Sequence, residues 1–184
     1  NIWICTPKGI VRVDINNIND VKIFGYIGKE IQYNSKCILK ASSGILYFGG
    51  SNGFISINPE EMVINNVKPT IVITGFKIFN KEIHPGEKSS PLKAPLNQTQ
   101  KIILERNQSN FSFEFTALSY LFPEANQYAY FLENFDKEWN YVTDNTAQYM
   151  NIPPGKYIFR VKGSNNDGIW NEADSQITII VKPP

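Results

Sequence analysis

The sequence predicts an all-β protein in two parts, and three observations carry that expectation. Short apolar segments recur at turn-sized intervals, no segment shows a helical stripe longer than a single turn, and one hairpin motif occurs twice. The 184 residues suffice for one ordinary domain plus part of another. With 42% hydrophobic and 13% aromatic residues there is material for a core and no compositional sign of disorder.

The repeat organises the first part. Ile2–Asp14 aligns with Leu46–Asn58 at an offset of 44 residues, 46 minus 2, so that Gly9 matches Gly53 and Asp14 matches Asn58. Each copy reads as a short apolar strand, a tight turn ending in glycine, and a second strand closing on Asp or Asn. Glycine at the end of the turn supplies the positive φ that a hairpin needs. A period in the low forties built from such hairpins is the size of one four-stranded propeller blade. Between the copies, Val21–Gly25 reads as an outer strand and Lys36–Ala41 as the innermost strand of the next blade. Residues 1–66 are therefore expected to form the C-terminal portion of a β-propeller, about one and a half blades, too few to close a ring.

Asn65-Asn66-Val67-Lys68-Pro69 is a polar, proline-ended junction and marks a domain boundary. Beyond it, residues 67–184 read as short strands at the intervals of a β-sandwich. Thr70–Phe79 comes first, interrupted by Gly75, and Ala94–Asn97 leads into Lys101–Leu104. Phe111, Phe113, Phe115 and Ala117 alternate strictly and share one face, as do Tyr128, Tyr130 and Leu132. Tyr157, Phe159 and Val161 oppose Ile158, Arg160 and Lys162, and Gln176–Val181 is the last strand before Pro183 and Pro184. In Ile152-Pro153-Pro154-Gly155-Lys156-Tyr157 the prolines cannot continue a ladder, because they lack the N–H. A tyrosine just after such a corner can hydrogen-bond back to the backbone, as in the tyrosine corner of immunoglobulin-like sandwiches. The expected fold is an immunoglobulin/fibronectin-III-like sandwich without a disulfide, since neither cysteine lies in this half.

Two resemblances sharpen this reading. Trp3-Ile4-Cys5-Thr6 followed by Gly9-Ile10 resembles the W-x-G-T-x-x-G-L signature of two-component regulator propeller repeats. Cys5 stands where glycine is usual, and Gly49 keeps that glycine in the second copy, with Gly53 closing its turn. The second part resembles the triple-tyrosine domain through Asn110–Phe115, Asn126–Leu132 with Tyr128 and Tyr130, Phe135–Trp139, Tyr149 through Gly155 and Tyr157, and Asn165–Asn171 with Trp170. One departure is Asn134, where glycine is frequent in that family; asparagine tolerates the same left-handed conformation. The resemblance implies a periplasmic position before a transmembrane helix and a histidine kinase, in hybrid two-component sensors of gut-type bacteria that detect polysaccharide fragments. A membrane helix is accordingly expected beyond Pro184.

Few residues invite chemistry. The net charge of +1, from 18 basic and 17 acidic residues, provides no field for nucleic acid. No apolar run reaches the roughly 18–20 residues that span a bilayer. Cys5 and Cys37 lack metal-site spacing and read as two small buried strand residues, with a disulfide between them left open. His84, the one histidine, lies in a polar turn-like stretch and reads as a solvated loop residue. Glu133, Asp136 and Glu138 near Trp139 invite comparison with a glycosidase carboxylate pair, but turn chemistry accounts for Asp136. Asp167-Gly168 is a hairpin signal and a poor calcium site. Asn-x-Ser/Thr patterns begin at Asn97, Asn107 and Asn110 and matter only in a glycosylating host. No catalytic residue, metal ligand or cofactor is therefore expected.

Two functions remain. One is signal relay, in which the sandwich couples oligosaccharide detection in the propeller to a membrane-linked kinase through the packing of a homodimer. The other is a carbohydrate-binding module with Trp139, Tyr141 and Trp170 stacking on sugar rings, against which stands the reading that these aromatics cap the ends of the sandwich core.

Overall fold

The computed structural model describes residues 1–7, 9–24, 27, 30–87 and 89–184, without the side chain of Ser35. Strand accounts for 49% of it and helix for 5%, so the protein is all-β. The chain divides into two compact units, Asn1–Asn66 and Val67–Pro184.

The first unit holds two three-stranded antiparallel sheets. One orders β1 (Ile2–Thr6), β2 (Gly9–Val13) and β3 (Val21–Phe24); the other orders β4 (Tyr33–Lys40), β5 (Leu46–Gly50) and β6 (Gly53–Ile57). Gly25, the expected end of the outer strand, lies outside the described residues. Gly9 and Gly53 have φ of 123° and 147°, which an L side chain rarely adopts. Trp3 stacks on Phe24 with centroids 5.9 Å apart. Gly49 leaves room for the neighbouring strand, since a Cβ there would lie 3.1 Å from Cys37 Cβ. A small core gathers Cys5, Ile10, Leu46, Phe48 and Ile57. Cys5 and Cys37 are both free thiols, and only Cys5 is buried. The expectation of two buried cysteines therefore fails for Cys37: β4 is an outer strand of its sheet, where Ile38 and Leu39 are exposed too.

The second unit packs a four-stranded sheet against a five-stranded one around a single core. The smaller sheet runs β13 (Thr146–Tyr149), β10 (Phe111–Ala117), β7 (Ile71–Ile78), β8 (Lys81–Glu82); the larger runs β12 (Asn140–Val142), β11 (Tyr128–Glu133), β14 (Gly155–Ser164), β15 (Trp170–Val181), β9 (Lys101–Leu104). All pairings in this unit are antiparallel except β15 with β9. Phe111, Phe113, Phe115 and Ala117 all face the core, and Phe113 stacks on Phe159 at 4.3 Å across the two layers. Stacked rings at that separation add packing energy beyond area burial.

Gly75 marks a bulge. Glu114 pairs with Gly75 and Phe115 with Ile73, so Thr74 is the extra residue and the strand continues instead of breaking. Around Leu96–Gln98, after Pro95, the chain makes a single 3-10 turn before β9. The last strand starts at Trp170, six residues before the apolar run of Gln176–Val181. Asn171–Asp174 carry no strand pattern of their own; Trp170 and Asn171 pair with Ser164 and Gly163 of β14, and the register then shifts before Ser175 pairs with Val161.

Candidate functional site

The most highly connected polar sites of the second unit lie at its two ends. At one end, Val67–Ile71, the segment leading into β7, presents alternate carbonyls to the β14–β15 hairpin. Asn165 Nδ2 donates to Val67 O (2.8 Å), Asn171 Nδ2 to Pro69 O (2.9 Å), and Ser175 Oγ to Ile71 O. Local sequence builds the first donor. Gly168 (φ 74°) allows Asn165–Gly168 to curl, so the amides of Asp167 and Ile169 both donate to Asn165 Oδ1 (3.0 Å each). Asn165 is fully buried, and its side-chain amide is thereby oriented towards Val67. Asn171 Oδ1 accepts from Ala173 N (3.1 Å), which fixes that side chain as well.

From these contacts β15 runs as one strand of 12 residues to the opposite end, a span of about 36 Å at the usual rise of ~3.3 Å per residue. There Val181 pairs with Gly155 and with Leu104, Lys182 N donates to Leu104 O (2.9 Å), and Lys182 Nζ meets Glu105 at 2.6 Å. The tyrosine corner sits beside it. Tyr157 Oη donates to Pro153 O at 3.0 Å. Gly155 makes that possible, because a Cβ at 155 would lie 3.0 Å from the same hydroxyl.

Other tyrosines stitch the layers. Tyr149 Oη donates to Asp136 Oδ2 (2.8 Å), which also accepts from Leu132 N (2.7 Å). Burial, then the bond to Asp136, raises the Tyr149 hydroxyl far above its ordinary range; burial, then the Asp136 charge, shifts Tyr130 in the same direction. Tyr128 Oη accepts from Ala117 N (3.3 Å). Asp136 is thus engaged by its own turn and by Tyr149, and Glu133 by Arg160 (2.9 Å), which also bonds Asp174. Neither of these two carboxylates stands as one half of an acid–base pair facing open space. Asn134 adopts φ 68°, the left-handed conformation asparagine tolerates. His84 is exposed. Among the described residues no group of three or more His, Cys, Asp or Glu is placed to hold a metal ion.

Trp139, Tyr141 and Trp170 do come together, on the outer face of the five-stranded sheet. Tyr141 meets Trp170 edge-on at 5.6 Å, and Trp139 lies 5.6 Å from Phe131. Lys162 Nζ sits 4.8 Å from the Trp139 centroid and 5.8 Å from that of Trp170, with Arg160 5.6 Å from Trp139. The pairing explains the cluster: Arg160 is opposite Phe131, and Ala129 is opposite both Lys162 and Tyr141, so all point outwards. Ala129 is nonetheless fully buried. A hollow of about 850 Å³ lies elsewhere, between Ser90, Thr99, Lys101, Asn107 and Gln108.

The sequence singled out the three aromatics and the tyrosine corner but missed the Asn165, Asn171 and Ser175 contacts. Asparagines on both sides of a turn were the only available signal; capture of carbonyls about a hundred residues away leaves no local pattern.

Comparison with known proteins agrees with this architecture. The Y_Y_Y domain model matches residues 119–182. A protein named histidine kinase P4 from Formosa agariphila is 33% identical over the whole chain, which spans 13% of its length. Among solved structures, the extracellular domain of a putative hybrid two-component system from B. thetaiotaomicron is 28% identical with a TM-score of 0.75, over 98% of this chain and 24% of that one. The extracellular domain of a putative one-component system from the same organism is 25% identical with a TM-score of 0.59, over 99% and 24%. The chain is thus similar to part of the extracellular domains of such signalling systems and to part of a histidine kinase, and its residues 119–182 match the Y_Y_Y domain model.

Proposed function

We propose that this chain is the non-catalytic relay portion of a periplasmic sensor, with Asn1–Asn66 as the last one and a half blades of a β-propeller and Val67–Pro184 as an immunoglobulin-like sandwich. Oligosaccharide is detected mainly in the remainder of the propeller, and the sandwich passes that event to a membrane helix beyond Pro184, and so to a histidine kinase, through the packing of a homodimer.

The observation that carries this reading is the capture of three alternate carbonyls of Val67–Ile71 by the hairpin whose second strand runs to Val181. A displacement arriving at residue 67 then moves β15 instead of peeling the lead-in segment away. Packed cores do not deform continuously, so the movement reaches the far end as a rigid shift. The similar proteins support it, since one is the extracellular domain of a putative hybrid two-component system and another is named a histidine kinase. The test is phosphorylation of the full-length sensor in membranes, stimulated by an oligosaccharide that its extracellular region is shown to bind. Asn171→Ala and Ser175→Ala should reduce stimulated phosphorylation while leaving oligosaccharide affinity intact. Undiminished phosphorylation in the double variant contradicts the relay.

The second reading is direct sugar binding at Trp139, Tyr141 and Trp170, favoured by their adjacency and by the 66% exposure of Tyr141. Against it, Lys162 and Arg160 lie over the Trp139 ring that a sugar would need.

A further inference from the structure

The end of the second unit where β15 finishes carries an apolar patch made of turn tips. Phe79 and Met150 are each 61% exposed and flank a shallow groove of about 190 Å³ floored by Phe111 and Tyr149. Phe135, 45% exposed, meets Tyr149 edge-on at 6.0 Å and extends the patch. Register places all of these at one end: Ile78 pairs with Phe111, Phe111 with Tyr149, and Gly155 with Val181.

The backbone holds the patch out at a conformational cost. Phe79 and Asn80 have φ of 50° and 63°, so the β7–β8 turn is a two-residue left-handed turn with phenylalanine in a position that favours Gly or Asn. A bulky residue there is an outlier, and such strain points to a use for the side chain it projects. Asn134 and Asn151, beside Phe135 and Met150, have φ of 68° and 54°. Phe79 N is bonded to Asn110 O, and Asn151 N to Asn110 Oδ1, so the tips are fixed and not frayed.

We propose that this end docks on the surface of a lipid bilayer, with Phe79, Phe135 and Met150 inserted among the headgroups. The proposal rests on the reading that the chain continues past Pro184 into a membrane. Position argues for this occupant, since the patch surrounds the end of β15. Shape argues for it too: the apolar side chains sit on three separate turn tips, after β7, β11 and β13, and not on one continuous face. Exposed charges at this end are Lys81, Arg106, Lys137, Lys156 and Lys182 against Glu82, Glu105 and Glu138, a small positive excess that favours anionic headgroups while apolar burial drives the contact. Weak affinity suffices, because tethering keeps the local concentration of bilayer high. Docking would set the tilt of the unit on the membrane and so the direction in which β15 delivers its movement.

The test is hydrogen exchange of the whole chain, carrying a C-terminal histidine tag, tethered to vesicles of phosphatidylethanolamine and phosphatidylglycerol that contain a nickel-chelating lipid. Amides near Phe79, Phe135 and Met150 should exchange about tenfold more slowly than in the vesicle-free chain, the equivalent of ~1.4 kcal/mol. The equally tethered triple variant Phe79→Ser, Phe135→Ser, Met150→Ser, with an unchanged melting temperature, should lose that protection, whereas Phe79→Trp should keep it. No slowing, or equal slowing in the triple variant, overturns the proposal. So does the same protection without vesicles together with a dimer in sedimentation equilibrium, which would make a second copy the occupant. Kinase output is not read, so relay and docking can fail separately.

Discussion

Asn165 and Val67 are 98 positions apart in sequence, yet the side-chain amide of one donates to the carbonyl of the other across 2.8 Å. Replacing Asn165 with alanine removes that donor and also the acceptor used by the Asp167 and Ile169 amides. Leaving buried polar groups unpaired costs about 1–3 kcal/mol each. Asn165→Ala should therefore lower unfolding free energy by about 2–3 kcal/mol in denaturant titration. Asn171→Ala, at a half-buried site, should cost about 1 kcal/mol. Equal small losses from both would mean that Asn165 does not organise this end.

Gly163 tests the same end by crowding. A Cβ there would lie 2.8 Å from Ile71 Cδ1 and 2.9 Å from Gln127 O. Gly163→Ala should destabilise the fold by about 1–3 kcal/mol, as overpacking does. Thermal melting of this variant beside Gly168→Ala, where the space around Cβ is open and only the φ of 74° is strained, separates crowding from backbone strain.

At the opposite end, Gly155 and Tyr157 should be energetically coupled. Tyr157→Phe removes the bond to Pro153 and should cost ~1 kcal/mol. Gly155→Ala pushes on the same hydroxyl, so it should cost less in the Tyr157→Phe background than in the wild type. A double-mutant cycle with no interaction energy would contradict the corner geometry.

Alkaline stability should depend on Tyr149. Burial and the Asp136 bond raise its folded-state pKa above the ordinary 10.0. The folded state then holds the proton more tightly than the unfolded chain does. That contribution is fully present below pH 10 and falls away as pH rises beyond it. Tyr149→Phe should flatten the decline of unfolding free energy above that pH, with Tyr130 supplying a remainder of the same sign. An unchanged slope in Tyr149→Phe would argue against a protonated, buried Tyr149.

Much of the fold was legible because alternation is local. Phe111, Phe113 and Phe115 announce a core face by spacing alone, and Pro153-Pro154-Gly155 announces a corner for Tyr157. The beginning of β15 was not legible, since its pairs with β14 at Trp170 and Asn171 are followed by a register shift, and an irregular ladder leaves no alternation in the sequence. Cys37 misled for a related reason: a small residue in a strand says nothing about whether a neighbour covers it. Trp139, Tyr141 and Trp170 are legible as a set but their placement is not, because which face of a sheet an aromatic occupies depends on register with Phe131, Arg160 and Lys162. Phe79 reads from sequence as the end of the first strand, whereas the strand stops at Ile78 and only the backbone conformation of Phe79 marks it as a turn tip.

The central claim is that this chain relays a signal recognised elsewhere. Calorimetric titration of a panel of glycan fragments into this chain, and in parallel into the longer extracellular region, tests it most directly. Heat of binding is expected from the longer region alone. Binding to this chain by itself, abolished by Trp139→Ala or Trp170→Ala, would contradict it and make the outer aromatic face the recognition site.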